Sequence, residues 1–337
     1  MRLLVTGGAG FIGSHFIRHI LSRYPTYDII NLDKLTYAGN VENLVDIEPN
    51  ARYRFVRGDI CDPSVVNPLA REVDAIVNFA AETHVDRSIL DASNFIQTDV
   101  QGTHVLLDAC RQFGHRRYVQ ISTDEVYGSI DTGLFSEDDR LLPSSPYSAS
   151  KAAGDLLTLS YFTTYDLPVI VTRSSNNFGP NQYPEKLIPL FITNAVEGHP
   201  LPVYGDGLNV RDWLYVIDHC RAIDLVLHQG QPGSIYNIGG GNERTNLEIT
   251  RLILQELQQP ETLIRYVEDR AGHDRRYGVD CRRIAGLGFR PAFRFEEALR
   301  ATVHWYKEHP EWWRRLKSGA FRHYYQQQYQ DRSKTQN

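Results

Sequence analysis

Cysteine is scarce in this chain of 337 residues: Cys61, Cys110, Cys220 and Cys281 lie far apart and form no C-x-x-C pair. Neither a disulfide framework nor a zinc site is indicated, no metal is expected, and the four read as small apolar residues of a reducing compartment. An excess of charge of one sign is missing too. The formal net charge is -5 and the pI about 6.2, so no whole-molecule attraction to nucleic acid or to an anionic membrane is built in. Basic residues that matter must act locally. No apolar run reaches transmembrane length, Leu3-Leu4-Val5 is too short for the core of a signal peptide, and no internal repeat is visible. The expectation is a cytoplasmic protein that engages neither membrane nor nucleic acid.

What is present is ordinary globular material, 42% hydrophobic and 23% charged, long enough for a large core and two subdomains. Leu3-Leu4-Val5 reads as a buried strand that runs into Gly7-Gly8-Ala9-Gly10-Phe11-Ile12-Gly13, after which Phe16, Ile17, Ile20 and Leu21 recur at helical spacing. A strand, a glycine turn and a helix are the context in which such glycines bring backbone N–H groups to a pyrophosphate. A second strand, Ile29 to Leu32, ends in Asp33, twenty residues after Gly13. A carboxylate there is placed to accept from an adenosine ribose and would repel a 2'-phosphate, so NAD is expected over NADP. Further strands at 53–56, 75–79, 117–121 and 169–172 alternate with helices, including a long one from Phe95 through Leu107 and one from Tyr147 through Tyr161. This alternation predicts an α/β fold with a doubly wound, Rossmann-like parallel sheet. After Arg173 the rhythm breaks into a smaller, mixed α/β substrate domain, and Ile235 to Ile238 reads as a strand returning to the main sheet. The expected division is 1–175 plus about 208–243 for the dinucleotide, about 176–207 and 244–325 for the substrate, and a mobile tail at 326–337.

The stretch from Ile121 to Lys151 carries the chemistry. Thr123, Asp124 and Glu125 fall where the 117–121 strand runs out, the edge at which ligands bind in a parallel sheet. Pro146 pre-sets a helix start, which puts Tyr147 and Lys151 one turn apart on one face. Bringing a phenol from its usual pKa of about 10 to about 7 takes roughly 4 kcal/mol, which an ammonium and a cationic nicotinamide ring are suited to share. Such a tyrosine takes a proton from an alcohol while hydride leaves its carbon. Asp124 and Glu125 are an acid and a base if their environments push their pKa values apart. Arg211 and Arg270 suit a diphosphate, and Tyr204 suits a base.

With these features in one chain, the sequence resembles the extended short-chain dehydrogenase/reductase family of nucleotide-sugar enzymes over most of its length, and its dehydratases in particular. The residues carrying that are 32–40 (Leu32 to Asn40), 80–88 (Ala80 to Ser88), 123–128 (Thr123 to Gly128), 184–189 (Pro184 to Pro189) and 270–277 (Arg270 to Tyr277). The resemblance implies loss of water from a nucleoside-diphosphate glucose, dTDP-glucose ahead of UDP-glucose, with NAD as cofactor. It implies that Thr123 polarises the sugar 4-hydroxyl, Tyr147 is the base, Lys151 holds the nicotinamide ribose, and Asp124 and Glu125 are the acid and base of dehydration. It implies cofactor contacts from Gly7, Gly10, Phe11, Ile12, Gly13, Asp33, Lys34, Thr36, Asp59, Ile60, Ala80, Ala81, Thr98 and Asn177. Substrate contacts are implied for Thr83, Asn176, Lys186, Leu187, Pro202, Tyr204, Arg211, Asn246, Arg270, His273, Asp274 and Tyr277. Two departures, Thr83 for Ser and Cys220 for Ala, keep size and character. A homodimer through the helices around 95–113 and 147–165 is implied as well, and Leu106, Leu107 and Phe162 are apolar beyond what one covered face requires. Two alternatives stand beside this reading. A 4-epimerase shares Tyr-x-x-x-Lys but needs no carboxylate pair, and an NAD-sensing regulator would be expected to lose Tyr147 or Lys151.

Overall fold

The structure, a computed structural model, describes residues 1–270 and 272–330. Its strands are β1 (Arg2–Thr6), β2 (Asp28–Asp33), β3 (Tyr53–Arg57), β4 (Ala75–Asn78), β5 (Arg117–Thr123), β6 (Val169–Ser174), β7 (Asn176–Phe178), β8 (Leu201–Tyr204), β9 (Val210–Tyr215), β10 (Ile235–Ile238), β11 (Glu243–Thr245) and β12 (Ile264–Val267). Runs such as Leu3-Leu4-Val5 and Val169-Ile170-Val171 are fully buried. Continuous apolar runs of this kind belong in strands covered on both faces, and they form one seven-stranded sheet in the order β10-β6-β5-β4-β1-β2-β3. Every pairing in it is parallel; Leu4 sits opposite Ile30 on one side and Ile76 on the other. The order reverses at β1 and β4, which opens a crevice beyond their carboxyl ends. The strand at 235–238 does return to this sheet, beside β6.

Two apolar layers cover the sheet. One joins Phe16, Ile17 and Ile20 of the helix Phe11–Arg23 to Ile223 and Val226 of the helix Val216–Gln229. The other joins Leu106 and Leu107 of the helix Thr103–Phe113 to Tyr118 of β5 and Tyr161 of the helix Pro146–Tyr165. Leu106 and Leu107 therefore belong to the core of their own chain and do not supply the spare apolar surface expected of them, while Phe162 is partly buried against the same layer. Ile96 and Leu156, each 59% exposed, and Tyr165, 47% exposed, are large apolar residues that these helices leave uncovered. The long helix expected from Phe95 is not uniform: Ile96–Gly102 widens into a π-helical segment before Thr103.

A smaller lobe has its own core of Phe178, Phe191, Trp213, Phe295 and Trp313. It surrounds a three-stranded sheet, β11-β9-β7, and the pair β12-β8. β9, which lies between 208 and 243, pairs in this smaller sheet. The expected tail begins inside a described element. Residues 326–330 form a π-helical turn that continues the helix Ala320–Tyr325 and buries Gln328; residues 331–337 lie outside the described residues.

Candidate active site

At the crevice, β1 hands the chain to the glycine turn. Gly7 has φ +67 and its missing Cβ would stand 2.6 Å from Ala80 N; a Cβ on Gly13 would stand 2.5 Å from Gly7 O. No other residue permits this turn to sit so close to the end of β4. Gly10 caps the helix Phe11–Arg23 without a side-chain bond, so the first-turn N–H groups are left to a ligand. They line a cavity of about 300 Å³. Around it stand Gly7, Gly10, Phe11, Ile12, Gly13, Asp33, Lys34, Thr36, Asp59, Ile60, Ala80, Ala81, Thr98 and Asn177, which are all the residues expected at a dinucleotide. Asp33 is fixed by N–H donors from Ala9 (2.9 Å) and Leu35 (2.8 Å). Lys34 Nζ pairs with Asp59 at 2.7 Å.

The inner end of the same cavity is formed by Thr123, Asp124, Glu125, Tyr147 and Lys151. β5 stops at Thr123, whose hydroxyl caps a single turn of 3-10 helix by accepting from Glu125 N at 3.2 Å. The opposing helix is held by a capping box between Ser145 and Ser148, with Pro146 in its first turn, and this aims Tyr147 and Lys151 at the strand end. Lys151 Nζ donates to Ile121 O at 2.7 Å, and Tyr147 shares a hydrogen bond with Thr123. In the chain by itself the Tyr147 phenol is pushed well above its ordinary value, by burial first and then by Glu125, Asp99 and Asp124. The expected lowering by Lys151 is not reached by the chain alone, because burial and then three nearby carboxyl groups hold the phenol up.

Asp124 and Glu125 differ in their neighbours. Burial raises Asp124 well above the usual carboxylate range, and Glu125 and Asp212 push it further; its Oδ2 is buried with no hydrogen-bond partner. Burial also raises Glu125, but Arg270, Arg211 and Lys186 pull it back. The arrangement favours a neutral Asp124 beside an ionised Glu125.

Glu125, Asn176 and Lys186 also face a second cavity, of about 150 Å³, lined by Leu187, Pro202, Tyr204, Arg211, Asn246, Arg270, His273 and Tyr277. Thr83 faces the larger cavity, where its hydroxyl accepts from Lys186 Nζ at 3.1 Å. Asp274 lines neither cavity: it accepts from the Tyr277 hydroxyl at 2.6 Å and from Ser144, while its carbonyl takes Arg211 Nη2 at 2.9 Å. It therefore positions Arg211 and Tyr277 from behind. Asn176 Oδ1, Asn246 Oδ1 and Arg270 Nε are buried with no partner in this wall, as expected of groups that await a polar ligand.

Several residues at the junction escaped the sequence reading. Glu185 is buried, lines both cavities and holds Arg87 through two 2.9 Å contacts. His84, buried at φ +100, begins the helix Val85–Leu90, and Asp86 accepts from Tyr204 at 3.2 Å. Nothing in the spacing of 84–87 and 185 announces these contacts; an acidic residue beside Lys186 was the one available signal.

A doubly wound sheet with a glycine turn after its first strand, an acid closing the second, and Tyr-x-x-x-Lys against the end of the fifth defines an NAD-dependent enzyme of the extended short-chain dehydrogenase/reductase class. The chain belongs to the family described as GDP-mannose 4,6 dehydratase, whose model matches residues 4–302. It is 50% identical over 319 residues to the dTDP-glucose 4,6-dehydratase of an Actinoplanes species, covering 93% of this chain and all of that protein. A crystal structure of dTDP-glucose 4,6-dehydratase from Streptomyces venezuelae, with NAD bound, superposes with a TM-score of 0.93 at 54% identity, covering 94% of this chain and 100% of that one. The NAD complex of the Bacillus anthracis dTDP-glucose 4,6-dehydratase gives 0.89 at 51%, with the same coverage.

Proposed function

We propose that this protein converts dTDP-glucose to the 4-keto-6-deoxy sugar nucleotide with a retained NAD. The observation that carries this is the Asp124-Glu125 pair, held within the same cavity as Tyr147 and Lys151 and at its junction with the cavity that holds Arg211 and Arg270. The glycine turn, Asp33 and the uncapped helix start fit the dinucleotide, since the turn leaves backbone N–H groups free where a side chain would block approach. Held by Gly10, Gly13 and Asp33, NAD would supply a hydride acceptor and donor and a positive ring that favours the Tyr147 phenolate.

Everything else falls to the protein. Thr123 Oγ1 and Tyr147 OH take up the 4-hydroxyl, and Tyr147 accepts its proton while Lys151 supports the phenolate. A ketone at C4 acidifies the C5 proton, which the Glu125 carboxylate removes; neutral Asp124 gives its proton to the departing C6 hydroxyl, and water leaves. The proton held on Glu125 returns to C5 as C6 is reduced, and the proton taken up by Tyr147 passes to solvent while Asp124 regains one from solvent, which restores all three groups. Burial raises both carboxyls, but Arg270, Arg211 and Lys186 oppose the rise at Glu125 whereas Glu125 and Asp212 add to it at Asp124, so Asp124 is the better proton donor and Glu125 the better base. Arg211, Arg270 and Lys186 also offer the positive charge that a diphosphate needs.

The division of labour is read as residues 1–175 and about 208–243 for the dinucleotide, and about 176–207 and 244–325 for the sugar nucleotide, with β9 carrying Arg211 across. The enzyme is read as a cytoplasmic homodimer; among the described residues no helix is long and apolar enough to cross a membrane. The deciding experiment uses dTDP-glucose deuterated at C4. The product is expected to carry deuterium at C6 of the same molecule. Label that remains at C4, exchanges with solvent or scrambles between labelled and unlabelled sugars would overturn the mechanism, and return to C4 would favour the epimerase. UDP-glucose in parallel tests the base preference.

A further inference from the structure

After Asp33 the chain runs along the larger cavity, and the segment 34–40 has no helix or strand of its own to hold it. Both ends are tied: Leu35 N donates to Asp33 Oδ1, and Asn40 N donates to Ala9 O of the glycine turn at 3.0 Å. Leu35 stands at φ +58, a conformation uncommon outside glycine that the surrounding bonds must impose. Gly39 N donates to Thr36 O at 3.1 Å and closes a turn with Tyr37 at its tip. Thr36, Ala38 and Gly39 line the cavity, whereas Tyr37 reaches past it. Its hydroxyl donates to Thr83 O at 2.5 Å, the Arg87 guanidinium carbon sits 3.9 Å from its ring centroid, and the Tyr183 ring meets it edge-on at 5.3 Å. These partners lead to the second cavity. Glu185, which lines both cavities, holds Arg87 at 2.9 Å, and its neighbour Lys186 donates from Nζ to Thr83 Oγ1 at 3.1 Å. Tyr37, Thr83, Lys186, Glu185 and Arg87 thus close a ring of contacts. Lifting the segment away from the larger cavity breaks a hydrogen bond and a cation–π contact of that ring together.

A dinucleotide that is reduced in the first half of a reaction and reoxidised in the second must stay bound between the two. We propose that Tyr37 is a positioning residue for cofactor retention: by gripping Thr83 and Arg87 it holds the segment 34–40 closed along the dinucleotide, so that NAD is kept in by contacts made at the edge of the sugar site. This rests on the dinucleotide reading of the larger cavity and adds Tyr37 and Arg87, which line neither cavity.

The test is exchange of bound NAD for added isotopically labelled NAD in the full-length protein, followed over time by mass spectrometry of the protein-bound fraction. Tyr37→Ala is expected to speed exchange about tenfold, the scale of a cation–π contact and a hydrogen bond lost together. Tyr37→Phe keeps the ring on Arg87 and loses only the hydroxyl, so it should recover part of the retention and exchange about threefold faster than the parent. Arg87→Met removes the cation from the ring face and should speed exchange by a similar factor. Because Arg87 acts through the Tyr37 ring, the double variant Tyr37→Ala with Arg87→Met should exchange no more than about twofold faster than Tyr37→Ala alone, whereas a general loosening of the fold would multiply the two effects. If Tyr37→Ala does not fold, Tyr37→Leu carries the same comparison. The proposal is overturned if Tyr37→Ala exchanges NAD within twofold of the parent, or if the effects of the two substitutions multiply. A parent protein that takes up no NAD would overturn the dinucleotide reading itself, and this proposal with it.

Discussion

Asp124 and Glu125 are adjacent in sequence, yet Asp124 meets two carboxyl groups, Glu125 and Asp212, against the single cation Arg211, while Glu125 faces three cations. Their roles follow from those neighbours. Asp124→Asn and Glu125→Gln keep the shape and remove the proton chemistry, so each should slow dehydration by roughly 100-fold or more while stopped-flow absorbance still records oxidation at C4. Tyr147→Phe should abolish the oxidation signal itself, and equal loss of that signal in all three variants would refute the separation of roles. Asp99 is a second buried carboxyl, pushed up to about 6 by burial, against the pull of Lys151 and a 2.7 Å bond from Ser150. A carboxyl raised in the folded state favours folding below its ordinary pKa of about 4, and that contribution is lost as pH rises through about 6. Asp99→Asn removes this slope. Its thermal midpoint should therefore gain on the parent between pH 4.5 and 7.5, and a constant difference across that range would contradict the assignment.

Between the helices Phe11–Arg23 and Val216–Gln229, Asp224 collects His19 at 2.7 Å, His228 at 2.9 Å and the Tyr24 hydroxyl at 2.8 Å. Asp224 is held below the ordinary carboxylate range against its burial by hydrogen bonds from His19, His228 and Tyr24, and His228 is raised chiefly by its bond to Asp224. A raised histidine stabilises fully below its ordinary pKa, and the gain disappears as pH climbs through the raised value. His228→Gln should thus cost more thermal stability at pH 6 than at pH 9, by a few degrees in midpoint; the reverse order would show that the pair does not bind the helices in this way. The cluster is a joint between elements and lies outside both cavities.

At the scale of the molecule, two cores meet along the line where the two cavities share Glu125, Asn176, Glu185 and Lys186. Asp124 and Glu125 reach that seam from the end of β5, and Arg211, Arg270 and Lys186 reach it from the smaller lobe. For the homodimer proposed above, the uncovered Ile96 and Leu156 are the surface on which the proposal is tested. Light scattering is expected to give twice the 38.6 kDa chain mass, and Leu156→Arg to shift it toward the single chain. A single-chain mass for the parent protein would remove the dimer.

Local pattern alone was enough for the strand–glycine–helix start, the acid closing β2 and the Tyr147–Lys151 face, because each is a short-range consequence of spacing: period, turn chemistry and one helical turn. Resemblance supplied the wall residues from Thr83 to Tyr277. Tertiary structure decided the rest. Glu185 meets Arg87 across 98 residues of chain, Asp274 lines neither cavity, and Leu106 and Leu107 are buried in one layer with Tyr118 and Tyr161. A glutamine-rich end reads as unstructured by composition, yet Phe321 and Tyr325 dock it, and Gln328 then finds Tyr204. Whether a charge is kept or neutralised was likewise undecidable from spacing, since burial and the cations around Glu125 exist only once distant segments have come together.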